Sequence, residues 1–153
     1  MRLPTPPAGT PSLDELADMF RSLQPETAPA WGKMDAAQML AHCANFNELC
    51  LGKVKVGAPL RWIARLLGPL FLKSLMKKAA TDGPRNLKTL DQIRVTGDVA
   101  FATAQERLQE SIQSIASVQD GHRHPLYGPM RAVDVHALAR HHMGHHAHQF
   151  RLW

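Results

Sequence analysis

The stretch that decides the fold is "HHMGHHAHQF" (His141–Phe150), in which five of the first nine residues are histidines. A purification tag would be an uninterrupted terminal run. This one is broken by Met143, Gly144 and Ala147 and followed by Arg151-Leu152-Trp153, so it reads as native sequence. A helix turns about 100° per residue, which sorts these positions by face. Val135, Leu138, Ala139, Phe150 and Trp153 set an apolar side, all within roughly 80° of the direction of His142. His146 and Gln149 fall in the same arc. His141, His145 and His148 form a second stripe on the flank, roughly 60–120° away, toward solvent or a helix–helix groove. His136 lies further round and is expected to face solvent. The last helix, from about Ala132 to Phe150, therefore presents an apolar arc with two histidines in it to a helical partner.

The partners announce themselves by their starts. "SLDE" at Ser12–Glu15 is a capping box, and Leu13, Leu16, Met19, Phe20 and Leu23 follow at helical spacing. "MDAAQM" opens a second helix, with Asp35 as cap, Gln38 as its box partner, and Met34 and Met39 placed as a hydrophobic staple. Its apolar face is Met39, Leu40, Cys43, Phe46, Leu49 and Cys50, and Gly52 and Gly57 end it. Pro59–Ala80 is a third helix, bent at Gly68-Pro69. "TDGPRN" is a turn, and Leu87–Val99 is a short strand or irregular crossover. A fourth helix runs from about Ala100 to Ala116 on Phe101, Ala104, Leu108, Ile112 and Ile115. Gln119–Met130 is a loop by its Gly and Pro content. No alternation is long enough to build a sheet. The expected fold is all-α, a four-helix bundle with an additional short helix or irregular crossover.

The chain has 153 residues, which suits one domain with a sizeable core. Residues 1–11, rich in proline and lacking an apolar run, read as a flexible lead-in rather than a secretory signal, and 12–153 as the domain. Cys43 and Cys50 sit two helical turns apart, roughly 10 Å, too far for a disulfide within one helix. They read as small buried thiols of a reduced, cytoplasmic protein. The net charge of +5 invites a nucleic-acid partner. No such motif is present and aromatics do not alternate with basic residues, so none is expected. Pro59–Lys78 is the most apolar stretch, but Arg61, Arg65, Lys73 and the Gly68-Pro69 breaker exclude a membrane span. A basic amphipathic helix can lie on a membrane surface. A kinked core helix with lysines in its last turn is the preferred reading, and no membrane partner is expected.

Two inward imidazoles on one helix need a reason, because burying them unpartnered costs desolvation energy. His142 and His146 stand at i, i+4, the spacing that lets two imidazoles bind one metal. His42 lies on the stripe Met39, His42, Phe46, Leu49 of the second helix and also faces inward. Three such histidines can form an open site with a coordination position left for water or substrate. The competing reading is that His42 and the terminal pair never meet, each satisfied by backbone or water.

"WGKMDAAQMLAHC" (Trp31–Cys43), "HPLYGPM" (His124–Met130) and "HHMGHHAHQF" (His141–Phe150) occur in that order. Together they resemble the DinB/YfiT-like superfamily, and within it a branch of bacterial proteins of unknown function. The resemblance covers residues 31–153. It implies a four-helix bundle holding a divalent metal, zinc or nickel, on three histidines, which fall on His42, His142 and His146. The glutamine after the last ligand falls on Gln149, placed to support it. Relatives in the superfamily include transferases that use low-molecular-weight thiols, so the resemblance implies a thiol-dependent S-transferase acting on a small electrophilic substrate. It also implies a homodimer. Two features depart from the pattern: Arg131 stands where a Ser or Thr cap is expected, and no acidic fourth ligand is apparent. Glu48, six residues after His42, is poorly placed as a base. Tyr127 is a weak candidate proton donor whose expected role is structural, and Cys43 is rotated into the core. The alternative function is a non-catalytic metal-binding or stress-associated interaction protein. The outer stripe His141, His145 and His148 is expected to be an incidental pH-responsive or loosely metal-binding patch.

Overall fold

Ser12 and Asp35 start the first two helices by the reciprocal bonds their spacing allows. In the computed structural model, which describes residues 2–86 and 88–153, α1 spans Leu13–Ser22. The Ser12 hydroxyl accepts from the Glu15 N–H (3.2 Å), and the Ser12 N–H donates to the Glu15 carboxylate (2.7 Å). Helix α2 spans Ala36–Cys50, with Asp35 and Gln38 exchanging the same pair of bonds at 2.8 and 3.2 Å. Helix α3 covers Ala58–Met76, α4 Phe101–Ala116 and α5 Ala132–Gln149. A two-stranded antiparallel hairpin, β1 (His122–His124) and β2 (Gly128–Met130), precedes α5.

Helices α1, α2, α4 and α5 pack on one another, most extensively α2 along α4. Their shared core holds Leu16 and Phe20 of α1, Met39, Leu40 and Cys43 of α2, Leu108 and Ile115 of α4, and Val135, Met143 and Ala147 of α5. Each large side chain buried there contributes about 1.5–3 kcal/mol relative to exposure. Asn47 and Ser111 bring polar groups into this core: the Asn47 amide nitrogen donates to the Ser111 hydroxyl at 3.0 Å, and its Oδ1 has no partner among the described residues. Cys43 and Cys50 are free and buried. The protein is thus mostly helical, as its sequence indicates, with a small sheet added.

The hairpin corrects the reading of Gln119–Met130 as a loop. The glycines and prolines that mark a loop are here the hairpin's own, and strands of three residues are too short to show alternation. The hairpin also places Asp120 beside the start of α5, where its carboxylate accepts the Ala132 N–H at 2.7 Å. This supplies the cap that Arg131 lacks. Arg131 instead grips Asp134 through two bonds of 2.7 and 2.8 Å.

Helix α3 corrects a second expectation. It is a single helix through Gly68-Pro69, as expected, but among its residues only Gly68, Leu72 and Met76 are buried. Trp62, Leu66 and Leu70 are 76%, 76% and 74% exposed, so α3 is not a core helix. It enters the core only through Leu72 and Met76, and it packs on none of the other four helices to a comparable extent. No helix among the described residues is long and apolar enough to cross a membrane.

From Lys88 to Val99 the chain is irregular apart from a 3-10 turn at Asp91–Ile93, which lies against α2; Leu87 is outside the described residues. The segment before α1 is tied to α5. Leu3 donates its N–H to Asp134 at 2.9 Å, and the Arg140 guanidinium donates to the carbonyls of Thr10 and Pro11 at 2.6 and 2.7 Å.

Candidate metal centre

The phase argument places His42 on α2 and His142 and His146 on α5 facing the same space, and the fold brings them together. Each offers one ring nitrogen, and the three nitrogens lie within 4.8 Å of one another. The ring centroids are 4.8–5.0 Å apart. The Nε2 atoms of His42 and His142 approach to 3.2 Å.

The surrounding hydrogen bonds decide which nitrogens are free. Nδ1 of His42 is 3.0 Å from the Ile93 carbonyl, which can only accept, so the His42 proton sits on Nδ1 and its Nε2 lone pair points to the cluster. For His146 the logic runs through a side-chain amide. The Trp31 carbonyl also only accepts, so the Gln149 nitrogen must face it, at 2.7 Å. The Gln149 oxygen then faces Nδ1 of His146, also at 2.7 Å, and holds the proton there. Gly32 makes this contact possible. Its φ is +88°, and a Cβ built on it would lie 2.7 Å from the Gln149 nitrogen. The Trp-Gly step before α2 and the glutamine at the end of α5 are thus two halves of one support. Phe46 completes the enclosure by stacking on His142 at 3.8 Å with rings 6° from parallel.

Burial keeps all three imidazoles neutral. It is the main cause that lowers the pKa of His42, against an opposing pull from its bond to Ile93. It pushes His146 down to about 3, with repulsion from His42 adding to the effect. It holds His142 well below the ordinary histidine range, with His146 and His42 adding repulsion. The neutral ring is the form that donates a lone pair to a metal.

These residues fit a metal ion on the structure's own terms. Tetrahedral coordination with metal–nitrogen bonds of about 2.0–2.1 Å sets nitrogen–nitrogen distances near roughly 3.3 Å. The His42–His142 approach matches that spacing. Nδ1 of His142 is sealed from water and has no hydrogen-bond partner among the described residues. With the His42 and His146 protons fixed on Nδ1, their Nε2 lone pairs and a ring nitrogen of His142 would be the groups to hold a cation. Among the described residues no carboxylate joins the cluster. Glu48 is turned away and paired with Arg107 of α4 at 2.9 Å. Three neutral ligands leave a divalent ion its full charge and an open position.

The cluster forms one wall of a cavity of about 860 Å³. Helix α3 roofs it with Leu60, Ile63, Ala64, Leu67 and Phe71, and Phe46, Leu49 and Leu126 add apolar floor. Tyr127 lines it too, stacked on His124 and lying against Gly68 of α3 so closely that a Cβ there would be 2.6 Å from the ring. Burial raises the Tyr127 phenol to about 12, so it stays protonated at neutral pH.

Of the two settings open to the outer stripe, solvent or a groove, the structure shows the covered one, so it is not the exposed patch expected to respond to pH or bind metal loosely. His141 is buried and His145 and His148 half-buried. Their ring nitrogens meet the carbonyls of Lys78 (3.3 Å), Ala80 (3.1 Å) and Trp153 (2.9 Å) respectively. The 3-10 turn Ala80–Asp82 and the C-terminal residues cover this flank, and Gly144 admits them, with Ala80 only 3.2 Å from where its Cβ would be. His136, expected in solvent, is half-buried with its Nε2 sealed. Cys43 is core, and burial pushes its thiol up, away from the reactive thiolate.

Sequence reasoning missed Gly32 as a support and His124 as a buried group. His124 is 2% exposed, and its Nδ1 accepts the Leu126 N–H, which puts its proton on a sealed Nε2 without a protein partner among the described residues. The only available signal was that "WGKM" and "HPLYG" pair structure-breaking residues with aromatic or imidazole side chains.

These observations define a class: a mostly helical protein with three neutral histidines that can hold a metal ion at the side of an apolar cavity. The family is identified by sequence. The chain belongs to the family described as Protein of unknown function (DUF1569), whose sequence model matches residues 9–152. No curated protein and no solved structure gives a significant match.

Proposed function

We propose that the protein is a divalent-metal-dependent enzyme of the DinB/YfiT-like kind, with zinc or nickel on His42, His142 and His146, that transfers a low-molecular-weight thiol to a small electrophile. The observation that carries this reading is the convergence of three neutral imidazoles, two with their Nδ1 protons fixed by carbonyl oxygens, at the edge of a cavity. A metal bound there supplies Lewis acidity, which favours the thiolate form of a thiol placed beside it.

The chain's own residues do the rest. Ile93 and Gln149 hold two imidazoles in register. The apolar roof and floor keep water from the sulfur and orient an apolar substrate. In the transfer, the sulfur lone pair forms the C–S bond while the bond to the leaving group breaks with its electron pair. The thiol proton leaves to solvent. We assign the proton donation that a basic leaving group would need to Tyr127, a reading supported by its protonated phenol and its place in the cavity lining. Neither cysteine takes part, since both are buried in the core.

The test is turnover of a thiol and an electrophilic alkyl halide by metal-loaded protein, compared with chelator-treated and reloaded protein. Activity that disappears with the metal and returns on reloading is expected. Stoichiometric metal without turnover of any thiol–electrophile pair would instead support the second reading, a metal-binding interaction protein, which the exposed apolar surface of α3 favours.

A further inference from the structure

Between Glu48 and Asp82 the chain carries seven Lys or Arg residues (Lys53, Lys55, Arg61, Arg65, Lys73, Lys77 and Lys78) and no Asp or Glu. Within that segment α3 exposes Trp62, Leu66 and Leu70 at i, i+4, i+8, one continuous outward stripe. Arg61 and Arg65 lie on the flank beside it, roughly 60–100° from Trp62. Together with Lys55 and with Arg123 of β1 they line a depression of about 450 Å³ separate from the histidine cluster. Ion pairs among the described residues involve Arg21, Arg94, Arg107 and Arg131, so these four cations have no carboxylate partner. Four unpaired cations around one hollow suit an anion, and their number and the forked guanidinium donors suit a phosphate.

We propose that α3 and this depression dock the protein on an anionic phospholipid surface. A headgroup phosphate sits among Lys55, Arg61, Arg65 and Arg123, while Trp62, Leu66 and Leu70 enter the boundary between headgroups and acyl chains. The apolar stripe selects a lipid over a free phosphate, which would leave that stripe in water. The charge selects a lipid over a second copy of the chain. Two α3 faces brought together would set cation against cation with no acidic residue in the segment to relieve them. A helix with a cationic flank and a Trp/Leu face lies in the interface plane rather than across it, in keeping with the absence of a spanning helix among the described residues. Bound this way, the helix that roofs the cavity is the one in contact with the bilayer.

The test is sedimentation of the full-length protein with phosphatidylcholine vesicles, with and without phosphatidylglycerol, at low and high salt. Binding is expected only with phosphatidylglycerol and is expected to weaken as salt rises. Each cation removed should weaken it about fivefold, so Arg61→Ser with Arg65→Ser should cost about 25-fold. The triple variant Trp62→Ser, Leu66→Ser, Leu70→Ser should abolish it. All five positions are exposed, and an unchanged circular dichroism spectrum would show the fold intact. Equal binding to both vesicle types would overturn the proposal. So would a dimer that stays off vesicles and is dissociated by the triple variant, or saturable binding of inorganic phosphate at the depression without vesicle binding.

Discussion

At the scale of single residues, the support of His146 is the most testable feature. Gln149 bridges His146 and the Trp31 carbonyl. Gln149→Ala is expected to lower metal affinity about 10–100-fold, the usual cost of losing a group that orients a ligand, with little change in overall fold. Gly32→Ala should act through the same bond, since it adds about 1–2 kcal/mol of left-handed strain and drives a methyl into the Gln149 amide. A metal titration against a competing chelator measures both, and affinities within twofold of wild type would break the link between Gly32, Gln149 and His146. His124 supports a pH prediction. Burial, with His122 adding repulsion, lowers its pKa from 6.5 to about 3. The native state therefore refuses a proton that the unfolded chain accepts. Stability is fully present above pH 6.5 and falls between there and about pH 3, with a slope of about 1.4 kcal/mol per pH unit from this residue. Urea unfolding of His124→Phe over that interval should show a shallower decline than wild type. An identical slope would place the His124 proton elsewhere.

At the scale of elements, what could be read in the sequence follows locality. The boxes at Ser12 and Asp35 and the phase of His142 and His146 depend on neighbours within one or two turns, and α1, α2 and the inward pair stand where periodicity put them. Helix α3 was legible as a helix but not as an exposed one, because apolar residues stand both on its outer stripe (Trp62, Leu66, Leu70) and on its inner side (Leu72, Met76), so hydrophobicity alone does not say which side is buried. The hairpin was hidden by its three-residue strands. Phase could not choose between solvent and a groove for the outer histidines, because the carbonyls that cover them come from Lys78, Ala80 and Trp153, and backbone acceptors leave no mark in a sequence. The cap of α5 shows the same limit, coming from Asp120 twelve residues before the N–H it serves. Asp120→Ala should cost about 1 kcal/mol, and Asp120→Asn much less, measured by denaturant unfolding. A loss no larger for Ala than for Asn would mean that α5 starts without this bond.

For the whole molecule, four helices build the core, and the fifth reaches it only through Leu72 and Met76 near its end. Backbone amides of α3 are therefore expected to exchange with solvent through local opening, at free energies well below those of α2 and α4, which should approach the global value. Hydrogen exchange resolved by residue would show it, and equal protection in α3 and α2 would mean that α3 folds with the core. The separation bears on the site, since the three histidines stand on helices of the core while the helix that roofs the cavity beside them packs more loosely. The claim on which the functional account depends is that His42, His142 and His146 hold one metal ion and the outer histidines do not. Elemental analysis of purified wild type, His42→Gln, His146→Gln and His148→Gln, each dialysed against the same zinc solution, tests it most directly. The account predicts one tightly held ion per chain in wild type and His148→Gln and none in the other two; retention of the ion in His42→Gln and His146→Gln, or its loss in His148→Gln alone, would contradict it.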